Sequence, residues 1–282
     1  MEIQVIIRDI VQRVKEVPGV EAIVLGGSRA KGTHTPKSDI DIGIYYSSSE
    51  KFDINCLRKV ALELDDLHRR NLVTPIGGWG PWVNGGGWLK VKNTSVDFLY
   101  RDLEKVSTVM EECISGQVTL EYQPGHPHGF LNYIYLGEVA LCKVLWDPNY
   151  KIEKLKSKTV PYPLLLQEAV IAKFLWEARF SLENAKKGIP IFDISYISGC
   201  LFRSVSCLTQ VLFALNKCYF INEKGAVQLA SNFENTPPRF QERILMSFET
   251  LSDEAEGLYS SINIIENVTQ EVEHMLSSFN DY

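Results

Sequence analysis

Apolar residues at positions 3, 6, 7, 10, 11, 14 and 17 recur with a helical period, and Pro18-Gly19 ends the run. The pattern then changes. A short apolar run at 22–25 stops at Gly26-Gly27-Ser28, and a helix-compatible segment follows. A Pro-Lys-Ser turn leads into a second apolar run that reaches Tyr46, with a Ser-rich loop at 47–49. Two strands joined by a short helix are therefore predicted. Helical spacing returns over 53–70, with Asp53 as N-cap. A glycine- and tryptophan-rich loop at 77–88 enters a hairpin with strands at 88–91 and 96–101 and a turn at 92–95. In its second strand Val96, Phe98 and Tyr100 share one face, while Asp97 and Leu99 share the other. Residues 103–114 predict a helix, 122–129 a loop holding His126 and His128, and 139–146 a further strand.

Beyond a boundary at 151–163 the pattern is helical throughout. Segments 164–187, 192–219, 237–250 and 252–278 read as main helices, with a short one at 225–232. The fold expected is α+β, a mixed-sheet domain over residues 1–155, followed by an all-α helical bundle over 156–282.

Composition adds limits. With 45% hydrophobic residues among 282, the chain can build a full core, which excludes a disordered protein. Six cysteines form no C-x-x-C pair and read as reduced, buried thiols. The N-terminal stretch lacks the shape of a signal peptide, and no apolar run reaches membrane-spanning length. A cytoplasmic protein with no membrane partner is expected. The net charge of −6 argues against nucleic acid as partner and for a small or cationic one.

The stretch VLGGSRAKGTHTPKSDIDIGI carries the candidate chemistry. Asp39 and Asp41, two apart on a strand, point to one side while Ile40 and Ile42 bury on the other. Gly27 permits close backbone approach to a ligand, and Ser28 offers a hydroxyl and an N–H at a helix start. Two carboxylates ~4 Å apart repel by about 4 kcal/mol at an effective dielectric near 20, which a divalent cation relieves. Magnesium suits carboxylates together with substrate phosphates. Asp97 is a further acid inside a β-prone run, a placement that needs a reason.

Strand, Gly-Gly-Ser, helix, D-x-D strand and a later strand with a third aspartate together resemble the DNA polymerase β-like nucleotidyltransferase superfamily. The likeness covers about the first hundred residues, through Gly26, Gly27, Ser28, Arg29, Gly32, Ser38, Asp39, Asp41 and Asp97. The helical half loosely resembles the bundle of aminoglycoside and lincosamide nucleotidyltransferases, through residues 162–187 and the run FALNKCYFINEKG. The resemblance implies transfer of a nucleoside monophosphate, usually AMP from ATP, onto an acceptor hydroxyl, with pyrophosphate leaving. It makes Asp39, Asp41 and Asp97 the catalytic and metal-binding trio for two magnesium ions. It also assigns nucleoside triphosphate binding to Gly27, Ser28, Arg29, Ser38 and Lys224. The acceptor it implies is a small molecule, an antibiotic among the candidates. Transfer onto protein or tRNA, and a non-catalytic nucleotide-binding or antitoxin-like protein, are the alternatives.

Other positions keep two readings. Arg29 and Lys31 either touch phosphate or are solvated helix charges. Arg203, Ser206, Gln210 and Lys217 form a polar stripe that lines a cleft or faces solvent. Trp79, Trp82 and Trp88 either stack on a ring of the acceptor or a base, or pin their loop to the core. His126 and His128 form an H-x-H pair, a pattern more often incidental than metal-binding. Glu168, Glu177 and Asp193 are candidate general bases.

Overall fold

The computed structural model describes residues 2–47 and 51–279, so Ser48 and Ser49 of the expected loop lie outside the described residues. The chain divides into two compact units. One comprises Met1–Cys113, Thr119–Gly125 and Gly129–Pro161; the other comprises Ile114–Val118, His126–His128 and Tyr162–Tyr282.

The first unit is built on a mixed five-stranded sheet. In chain order its elements are α1 (Glu2–Val14), β1 (Val20–Leu25), α2 (Gly27–Lys31), β2 (Ile40–Tyr46), α3 (Ile54–Leu64), β3 (Gly85–Val91), β4 (Thr94–Asp102) and α4 (Leu103–Ile114). Then come β5 (Leu120–Glu121), β6 (Phe130–Leu131), α5 (Ile134–Leu141), β7 (Lys143–Trp146) and α6 (Lys151–Ser157). Strand order is β3-β4-β2-β1-β7, with only β2 and β4 running parallel. The pair β5-β6 forms a small sheet of its own, which periodicity did not signal.

One sheet face is apolar and fully covered. Ile40, Ile42, Ile44, Val96, Phe98 and Tyr100 are inaccessible there and share a core with Ile6 and Ile10 of α1 and Leu57 of α3. Alternation in β4 therefore leaves Asp97 on the opposite face.

Three local outcomes differ from expectation. The helix expected over 53–70 begins as predicted, with Asp53 accepting from the Asn55 and Cys56 amides, but ends at Leu64. Asp65 stops it: its buried carboxylate accepts from the Arg69 side chain and backbone amide and from the Lys90 amide. Gly85–Val91 is one strand, so three glycines expected in a loop are sheet residues. Over 139–146 the chain is helical to Leu141 and extended only from Lys143. An apolar run buried on all sides looks alike as helix or strand.

The second unit is helical: α7 (Leu164–Gly188), a 3₁₀ turn (Ile189–Ile191), α8 (Ile194–Leu215), α9 (Ala226–Ala230), α10 (Phe240–Thr250) and α11 (Ala255–Phe279). Among the described residues α8 alone is long and apolar enough to cross a membrane, and most of it is buried as the unit's central helix.

Candidate active site

Register builds the site from three strands. Asp41 of β2 lies beside Asp97 of β4 in the parallel pair, so both carboxylates leave the same face of neighbouring strands, about 4.8 Å apart at the backbone. Asp39, just before β2, is exposed, and its charge acts on Asp97. Asp41 and Asp97 thus share one face of the sheet with the charge of Asp39 acting on Asp97, but the three carboxylates do not close to metal-ligand spacing of one another.

Backbone from the end of β1 closes the other side of Asp41. Gly26 donates its amide to the Asp41 carbonyl at 2.8 Å. Gly27 has φ +58°, and a Cβ built on it would lie 1.9 Å from Asp41 Oδ2. Only glycine fits where the carboxylate meets the bend. Ser28 follows, half-buried at the start of α2.

Arg29 is buried, and its guanidinium turns to the backbone. Nε donates to the Asp39 carbonyl at 2.9 Å and to that of Ser38 at 3.2 Å, and Nη2 also donates to Ser38. A fork on two successive carbonyls fixes the chain entering β2 and so aims Asp39 and Asp41. Ser38 in turn accepts the Thr35 amide at 2.9 Å. Lys31 is exposed near Asp41; local desolvation lowers its ammonium, and the Asp41 charge partly opposes this.

Electrostatics single out Asp97. Burial first, then the charges of Asp41 and Asp39, push its carboxyl up to about 6. A carboxylate raised by like charges marks a site short of positive charge. Carboxylate oxygens are the donor type a hard divalent cation takes, and Asp39, Asp41 and Asp97 are the residues that would hold one.

Residues 7–77 match the nucleotidyltransferase domain family. The nucleotidyltransferase match takes in the glycine bend and both acids of β2, and it ends before Asp97. No curated protein matches the chain. Among solved structures, a nucleotidyltransferase-like protein from Exiguobacterium sibiricum 255-15 is similar at 9% identity. That match covers 97% of this chain and 78% of the other at a TM-score of 0.45, too distant to bear on function.

Other residues singled out in the sequence disperse. Lys224 is exposed in the second unit, in the turn before α9. His126 and His128 part ways: His126 Nδ1 lies 3.1 Å from Glu223, while His128 is buried with its Nε2 3.6 Å from Cys207 Sγ. Glu177 lies near that pair, but Arg203 already holds its carboxylate, and burial keeps Cys207 a thiol. That set suits an ion pair beside a neutral imidazole better than a metal. Ser206 and Gln210 are buried and line a cavity of about 360 Å³ within the second unit, while Arg203 and Lys217 are exposed, so the stripe divides between cavity and solvent. Asp193 caps α8 through the Tyr196 amide, and Glu168 is exposed.

Proposed function

We propose that the first unit transfers a nucleoside monophosphate, AMP from ATP foremost, onto a hydroxyl of a small-molecule acceptor. The observation that carries this is the register of Asp41 against Asp97 beside a bend that only glycine can make. In the reaction the acceptor oxygen attacks the α-phosphorus, the bond to the bridging oxygen breaks, and pyrophosphate departs with that electron pair. Gly27 and Ser28 hold the outer phosphates through backbone amides and the hydroxyl. Asp97, on the side of Asp41 away from that bend, takes the acceptor proton. Arg29 positions the acids through the Ser38 and Asp39 carbonyls. Divalent cations held by Asp39, Asp41 and Asp97, two magnesium ions in this reading, supply the charge that offsets the phosphates and the three carboxylates. Catalysis of this kind rests on positioning and electrostatics more than on covalent chemistry.

The test is incubation with labelled nucleoside triphosphates, magnesium and a panel of aminoglycosides and lincosamides. Label on a small molecule is the expected outcome, with Asp41→Asn lowering turnover at least ~1000-fold while leaving the melting transition in place. Label on protein or tRNA, or tight nucleotide binding without turnover, rejects the small-molecule reading. An active Asp41→Asn variant rejects the site itself.

A further inference from the structure

The row of side chains that carries the acids does not stop at Asp97. Trp88 of β3 is the directly opposed partner of Asp97 across the antiparallel β3-β4 pair, so the two side chains share a face. Read across the sheet, the row runs Gly26, Asp41, Asp97, Trp88.

The tryptophans of the Gly/Trp loop divide into two roles. Trp82 anchors the loop: it stacks on Phe130 at 5.3 Å, and Lys105 Nζ lies 4.3 Å from its ring centre. Buried Gln123 fixes the same loop, accepting from the Trp82 and Val83 amides at 3.1 Å and donating to the Trp79 carbonyl. The loop is thus tied down without Trp88. Trp88 instead stacks on Trp79, ring centres 4.7 Å apart and planes at 27°, and is 63% exposed. Trp79 lies over Gly86, where a Cβ would come within 2.7 Å of its ring. That glycine, second in β3, lets the inner ring sit down on the sheet, and the outer ring rests against it beside Asp97.

In-line displacement fixes which substrate meets this platform. The leaving pyrophosphate and the attacking oxygen stand on opposite sides of the phosphorus. With the outer phosphates at the Gly27–Ser28 end of the row, the nucleophile approaches from the Asp97–Trp88 end. We propose that Trp88, backed by Trp79, is the acceptor platform. It stacks on a flat ring, a pyranose or an aromatic, and presents a hydroxyl of that ring or its substituent to Asp97. This rests on the transfer reading above and adds the class of acceptor: a rigid, ring-bearing hydroxyl compound in place of an open-chain one.

The test uses the full chain with magnesium and each of the common nucleoside triphosphates. Kanamycin and lincomycin serve as sugar-ring probes, p-nitrophenyl β-glucoside as a probe carrying an aromatic ring as well, and sorbitol and xylitol as open-chain probes. Transfer is expected to a ring-bearing probe. For that probe Trp88→Ala raises KM by about tenfold with kcat changed less than about threefold, and Trp88→Phe recovers most of the loss. Kanamycin or lincomycin as the preferred probe assigns a sugar ring, and the glucoside an aromatic one. Trp88→Ala and wild type are compared by near-ultraviolet circular dichroism, so that loss of fold is not read as loss of binding. Transfer only to open-chain polyols or macromolecules, or an acceptor KM unmoved in Trp88→Ala, overturns the platform. No transfer to any probe or macromolecule instead overturns the transfer reading, so the two failures are distinct.

Discussion

Gly27 shows how much one position decides. Its φ of +58° costs an L-residue about 1–2 kcal/mol, and its missing side chain is where the Asp41 carboxylate lies. Gly27→Ala is expected to lower stability by about that amount. Activity should fall further, on the order of 100-fold, because Asp41 must shift by more than an ångström. Thermal unfolding set against steady-state turnover separates the two effects; equal small losses in both would mean the carboxylate simply swings aside. Glycine, serine and the paired acids were legible because each does chemistry that few other residues can do. Arg29 was not. In the sequence it is a cation beside a phosphate loop, and only the fold shows its guanidinium on the Ser38 and Asp39 carbonyls. Hydrogen bonds to backbone leave no pattern in side-chain type.

At the scale of elements, the end of α3 and the start of β3 were misjudged for one reason: tertiary contacts overrode local pattern. The helical period runs on past Leu64, but the inaccessible Asp65 carboxylate draws Arg69 and the Lys90 amide to itself. Its pKa is depressed, first by the hydrogen bond from Arg69, so its contribution is complete above about pH 4 and is lost as pH falls below that. Asp65→Ala is expected to destabilise by about 2 kcal/mol. The gap to wild type should hold from pH 5 to 8 and shrink in more acid solution, as read by urea unfolding. A gap that widened toward acid would contradict the assignment. Gly85, Gly86 and Gly87 read as loop because glycine is scarce in strands. They are strand because the Tyr100 hydroxyl, the Phe98 carbonyl and the Leu72 carbonyl stand where their side chains would be. The hairpin turn mattered too. A turn over 92–95 would set Val91 against Val96 and Trp88 against Leu99. Positive φ at both Lys92 and Asn93 makes a two-residue turn that sets Val91 against Thr94 and Trp88 against Asp97.

For the whole molecule, the change from strand and helix to helix alone was plain in the period of apolar residues, so the fold class was readable. The interleaving of the chain was not. The second unit recruits Ile114–Val118 and His126–His128 from amid the first unit's sequence. His128 donates its amide to Glu223 at 3.1 Å, and the Val118 carbonyl accepts from Lys173 at 3.3 Å. Such long-range joins carry no local signature. Residues 162–282 expressed alone are therefore expected to melt without cooperativity, or at least ~8 °C below the full chain by circular dichroism. A fragment as stable as the full chain would show both recruited pieces to be dispensable. The order of strands has a last consequence. β3 is an outermost strand, with a strand on one side and only single backbone contacts from Asp66 and residues 73–74 on the other, whereas the acids β2 and β4 carry are on strands flanked by strands on both sides. Segment 77–91 is thus a natural cassette for redesign: variants confined to it test the proposed acceptor platform while the acid-bearing strands keep both of their neighbours.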